Sequence, residues 1–325
     1  MKQIRYLFLG LLGLLVTAAL HASSNLDQER EDLFAPILNN PPLRADLMSH
    51  AKKIPTNFNY TELFGSDVDV LLVGEEHHDP IPARDINLMI KNLVGNRAGL
   101  THVASEFLLA SEQPFLDAFA QKQLSYEELK KKCKLGQRAF VAEIARRYGV
   151  KVVGLEIART HEDYPWALSA EGLAARNQAW ADKIVAIKRQ NPQAKILVHA
   201  GSYHTQLSAS YGKTLAQVLK QNGLKVKVVE FTSVTDAVWK KLNISGKYDL
   251  LFTIPDNLKP YVRADYVVYA PFADYTSEEK ARISEMSDSI YKEKIVTAVT
   301  EDGCLLDPDN PMCSVIINTS RIKLK

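Results

Sequence analysis

The chain has 325 residues, 46% of them hydrophobic, with 40 Lys and Arg against 38 Asp and Glu. That length and apolar content allow a buried core in one large domain or two small ones. The near balance of charge leaves no electrostatic case for nucleic acid or an anionic membrane surface as a partner.

Met1 to Ala22 carries Lys2 and Arg5, then an apolar core from Tyr6 to Leu20, then small residues. This is the anatomy of a secretory signal peptide cleaved near Ala22, so the protein is expected to be exported, periplasmic or secreted. No cysteine follows the apolar core, so no stable membrane anchor is expected after cleavage. Loss of Lys2 and Arg5 leaves the mature chain neutral. Residues 23–60 read as a polar lead-in with one or two short helices, punctuated by Pro41, Pro42 and Pro55.

From Asp67 the pattern alternates. Apolar, β-branched runs predict strands over 68–73, 102–106, 150–156, 195–200, 225–231 and 249–253. Helical spacing falls between them over 83–93, 113–120, 125–133, 139–148, 169–190 and 215–222. Strand and helix in alternation imply an α/β fold, a mostly parallel sheet covered by helices on both faces. The expected core spans 61–258. Residues 259–325 read as a C-terminal extension packed on it, with a strand-like run at 266–269, a helical one at 277–287 and an apolar one at 315–317. Cys304 and Cys313 bracket a turn-rich loop and could be bridged in an oxidising compartment, while Cys133 is left as a small apolar residue.

Parallel strands end on one edge, which is where α/β proteins place ligands. Glu75, Glu76, His77, His78 and Asp79 follow the first strand, Glu106 the second and Glu156 the third. The fourth strand ends in Gly201-Ser202-Tyr203-His204, so both it and Gly74-Glu75-Glu76-His77 carry Gly-x-x-His. Each glycine is expected to let the backbone turn sharply and aim its histidine inward. Carboxylates at the ends of buried strands need a cationic partner. Arg176 stands on the inward stripe Leu173, Trp180, Ile184, Ile187 of its helix, in reach of Glu106 or Glu156, or free to clamp an anionic substrate.

Two chemistries fit these residues. In one, His77, His204 and Glu106 hold a divalent metal ion and Glu75 is the general base on its water. In the other, metal-free, His77 is the base, Glu75 or Glu106 orients it, and Arg176 with His204 stabilises developing negative charge. His199, inside an apolar strand, reads as a hydrogen-bonded core histidine, and Asn177 and Tyr203 are near the site by position. Gly-Ser-Tyr-His is not a nucleophile elbow, and no Gly-x-Gly-x-x-Gly or Walker-type loop supports a nucleotide.

In this order the motifs resemble the superfamily of the ChaN haem-binding proteins, the TIKI metal-dependent proteases, the TraB/PrgY and GumN proteins and the erythromycin esterases. The shared pattern is Gly74-Glu75-Glu76-His77, Glu106, Arg176-Asn177 and Gly201-Ser202-Tyr203-His204. Leu72-Val73-Gly74-Glu75-Glu76-His77, Glu106-Phe107 and Gln113-Pro114-Phe115-Leu116-Asp117 look most like the ChaN branch. The resemblance covers 68–231 and implies an α/β fold with a ligand pocket at the strand ends. It implies either a hydrolase of an amide or ester bond, acting on a small-molecule or peptide substrate, or a haem or iron carrier. In the carrier, Arg176 or other basic groups would meet the propionates and a Tyr or His the iron.

Overall fold

The computed structural model describes residues 35–54, 58–75, 89–90, 92–94, 98–133, 141–157, 164–167, 169–233, 242 and 250–270. His77, the signal segment, Cys304, Cys313 and the runs at 277–287 and 315–317 lie outside them.

Among the described residues eight strands form one sheet: β1 (Ala51–Lys53), β2 (Val70–Glu75), β3 (Leu100–Leu109), β4 (Lys151–Glu156), β5 (Lys195–Gly201), β6 (Val226–Ser233), β7 (Leu250–Thr253) and β8 (Tyr266–Ala270). Their order is β1-β7-β8-β6-β2-β5-β3-β4. From β8 to β4 every pairing is parallel, and β7 is antiparallel to both its neighbours. The expected α/β class and mostly parallel sheet are what the chain adopts.

β2 shows why the apolar runs are continuous. Leu71 and Val73 pack into one core layer while Val70 and Leu72 pack into the other, so both faces of the strand are buried. The first layer is closed by α2 (Thr61–Phe64), α3 (Gln113–Ala120), α4 (Tyr126–Lys132) and α5 (Val141–Arg147), through Leu63, Phe119, Leu129 and Ala145. The second is closed by α1 (Pro41–Ser49), α7 (Ala170–Gln190) and α9 (Leu215–Gln221), through Leu47, Trp180 and Leu219.

α7 carries the inward stripe. Its N-cap Ser169 accepts from the Gly172 N–H, and Lys188 and Arg189 stand in its last turn, where they suit the helix dipole. Leu173, Arg176, Trp180 and Ile184 are all buried. Short α6 (Tyr164–Ala167) abuts its start so closely that a Cβ on Gly172 would lie 1.8 Å from the Trp166 carbonyl oxygen.

Two boundaries differ from expectation. The lead-in supplies edge strand β1 and the buried rings of Phe58 and Tyr60. The expected division after 258 falls inside the sheet, because β8 lies between β6 and β7 as an interior strand. Sheet order depends on pairing between distant segments, which local periodicity does not encode.

His102, on β3, is 6% exposed, and its Nδ1 lies 2.8 Å from Thr101 Oγ1. Burial, with the Lys151 charge adding to it, pushes His102 down to about 4 from 6.5. The unfolded chain therefore binds the extra proton first. The stability associated with neutral His102 is fully present above 6.5 and is lost as pH falls towards 4, by at most roughly 3 kcal/mol. Urea midpoints measured from pH 7 to 4 should fall less steeply in His102→Gln than in the wild type. Parallel curves would refute this.

Candidate functional site

The carboxyl edge holds two clusters on opposite faces of the sheet. On the face shared with α7, Arg176 is 5% exposed and joins two strand ends. Its Nη2 donates to Glu106 Oε1 at 2.7 Å and to Glu156 Oε2, its Nε donates to Glu156 Oε1 at 3.2 Å, and its Nη1 donates to the Ala167 carbonyl at 3.4 Å. Burial alone would lower the Arg176 pKa, but the Glu106 and Glu156 carboxylates outweigh it and the net direction is upward. The expected reach to Glu106 or Glu156 becomes a bridge to both. One Nη1 N–H remains, so Arg176 is a cation already neutralised by acids rather than a clamp for an anionic substrate.

Glu106 is equally committed. Its Oε2 accepts the Gly201 N–H at 2.7 Å, tying the end of β3 to the end of β5. Helix α8 (Ser202–Thr205) begins at the next residue and brings His204, 3% exposed, into the cluster. His204 Nδ1 lies 2.7 Å from Asn177 Oδ1. Asn177 Nδ2 donates to the Lys213 carbonyl at 2.9 Å, which fixes the amide and makes Oδ1 the acceptor. The His204 proton therefore sits on Nδ1. His204 Nε2 faces the Glu106 carboxylate, 3.8 Å from Oε1. Trp180 packs on the imidazole with ring centroids 4.3 Å apart, and the Arg176 guanidinium lies 5.0 Å from the Trp180 ring centre. Tyr211 donates its hydroxyl to the Tyr203 carbonyl, and burial pushes its phenol up to about 12, so it stays neutral.

Glu75 is not in this cluster. It falls on the parity of Leu71 and Val73, as His199 falls on that of Leu197, and all three apolar residues belong to the opposite core layer. There His199 Nε2 lies 2.7 Å from Glu75 Oε2, with both side chains fully buried. The Phe107 ring packs on His199 at 4.9 Å, and among the described residues His199 Nδ1 has no hydrogen-bond partner. Glu75 as a base beside His204 and Glu106 is thus corrected: the sheet stands between them. His199 is a core histidine, as expected, but satisfied at one nitrogen.

The glycines also act differently from expectation. Gly74 lies within β2, paired with Glu230 of β6, and Gly201 is extended at φ −63°. Neither needs left-handed backbone. A Cβ on Gly74 would lie 2.3 Å from Thr205 Oγ1 and 2.4 Å from both Glu230 carboxylate oxygens. Gly74 is therefore small because of what crosses it. Thr205, Glu230, Trp180 and Tyr211 were not foreseen as site residues. Trp180 could have been, since it lies one turn from Arg176 on the same stripe.

A divalent ion fits the described donors poorly. Placed on Glu106 it would sit beside a guanidinium nitrogen only 2.7 Å from Oε1, with Oε2 already accepting from the backbone. No group of three or more His, Cys, Asp or Glu able to hold a metal occurs among the described residues, and His77 lies outside them.

This architecture recurs in known proteins. Residues 65–164 match the family described as haem-binding uptake, Tiki superfamily, ChaN, in keeping with the resemblance of the motifs. An erythromycin esterase, in an open conformation, superposes with a TM-score of 0.50 at 11% identity, covering 68% of this chain and 97% of that one. ChaN of Campylobacter jejuni, solved with cofacially bound haem, gives 0.43 at 20% identity over 67% of this chain and 92% of that one. A Bacillus cereus protein gives 0.47 at 12% identity over 70% and 96%. At such identities the likeness is one of fold. No curated protein matches the chain.

Proposed function

We propose that the protein is an exported hydrolase of an amide or ester bond in which His204 is the general base, and that the described site works without a metal. The carrying observation is the Asn177–His204–Glu106 arrangement. Asn177 accepts from Nδ1–H and so presents Nε2 as the atom that would exchange a proton with water, and the Glu106 carboxylate stands where it would stabilise the imidazolium that results. Hydroxide then adds to the carbonyl carbon. The negative charge forming on the carbonyl oxygen would be met by the remaining Nη1 N–H of Arg176 as a hydrogen-bond donor. The imidazolium returns its proton to the departing amine or alcohol. Burial of His204 and Glu106 keeps bulk water away and strengthens each of these interactions.

The superfamily's two activities frame the test. Hydrolysis of a panel of p-nitrophenyl esters and peptide anilides should persist after exhaustive treatment with a chelator. Loss on chelation, restored by added Zn²⁺ or Mn²⁺, would overturn the metal-free mechanism.

A haem carrier is the second reading, supported by the family description over 65–164. Around His204 the described residues fit an iron porphyrin poorly: the imidazole is buried and hydrogen-bonded to Asn177, and the Tyr211 phenol is held neutral. Under this reading the iron ligand comes from outside the described residues. Saturable growth of a Soret band on adding haemin would favour it.

A further inference from the structure

We propose that Glu230, acting through Thr205, is a positioning residue for His204. This rests on the reading of His204 as the base. Helix α8 has only four residues and no side-chain cap at its N-terminus, so little within it fixes the direction in which His204 is presented. Thr205, the next residue, is fully buried and donates its hydroxyl to Glu230 Oε1 at 2.6 Å. Thr205 Oγ1 also lies 3.2 Å from the Ser202 carbonyl at the start of the turn.

Glu230 is itself 3% exposed, on a strand two places from β5, with β2 between them. The contact spans that gap because Gly74, opposite Glu230 in the β2–β6 register, has no Cβ to block it. Burying a carboxylate is costly, and an apolar pair would fill the space more cheaply. What the polar pair adds is direction. Asn177 sets the rotation of the imidazole from α7, and Glu230 sets the backbone that carries it from β6, so the base is held from two sides.

The test uses the full chain with Trp166→Phe and Trp239→Phe, so that Trp180 reports the stacked His204 ring through its emission. Thr205→Val keeps the shape and removes the hydroxyl, and Thr205→Ser restores the hydroxyl. We expect Thr205→Val to lower kcat on a p-nitrophenyl ester by about 10- to 100-fold, as a misplacement of about 1 Å would. KM should stay within about twofold. Trp180 emission should change in Thr205→Val and return to the parental spectrum in Thr205→Ser, together with kcat. Parental kcat and emission in Thr205→Val would overturn the proposal. So would a loss that Thr205→Ser does not repair. Glu230→Leu, which removes the acceptor and leaves Thr205 and Ser202 in place, should reproduce the emission change of Thr205→Val, and a parental spectrum in it would overturn the part given to Glu230. If the parent cleaves no ester or amide, the hydrolase reading fails on its own, and these emission comparisons alone decide whether Glu230 and Thr205 place the His204 ring.

Discussion

Arg176→Met is expected to destabilise the protein by about 3–5 kcal/mol, because it leaves two carboxylates of the same buried cluster facing each other without a cation. Glu106 is 8% exposed, and Glu156 ends the neighbouring strand on the same guanidinium. Glu106 cannot turn to water without opening β3. The loss should appear as a lower urea midpoint at an unchanged slope. It should shrink as pH falls into the carboxylate range, where protonation removes the repulsion. Arg176→Lys should recover only part of it, since an ammonium cannot make the forked contact to Glu156 while also reaching Glu106. A midpoint within 1 kcal/mol of wild type in Arg176→Met would mean that the three charges do not form a coupled unit.

His204→Gln should act on turnover rather than on stability. Glutamine is polar and of similar size, and it can still donate to Asn177 Oδ1, so the melting temperature should move little. It has no lone pair basic enough to take a proton from water, and removal of a general base typically costs 10²–10⁴-fold in rate. Single-turnover measurements on the best ester of the panel should show that loss in the chemical step, with binding kept. A variant retaining more than about a third of wild-type turnover would remove His204 from the chemistry.

Much of this arrangement can be read along the chain, and what cannot follows a physical pattern. Arg176 is conspicuous because a charge occupies the Leu-type position of an apolar stripe, and such a charge needs carboxylates within reach. His204 follows from the convergence of parallel strand ends, and Asn177 from its place next to Arg176 on α7. Convergence at an edge does not decide the face, however. The pleat sends Glu75 with Val73 into one layer and Glu106 with Ala104 into the other. The irregular register between Ser105 and Leu109 then lets Leu108 rejoin the first layer, so counting in twos along β3 would have misplaced it. The Thr205–Glu230 contact is hidden for a different reason. It exists only because β6 lies beside β2, and nothing local in either segment specifies that neighbour.

The place of β8 bears on how the molecule is made. Until residue 270 has emerged during synthesis, β6 has an open hydrogen-bonding edge, and β7 with β1 has nothing in register to join. Between residue 233 and residue 270 the nascent chain therefore carries an unfinished template, which is the stage at which an escort that prevents edge-to-edge association would find it most receptive.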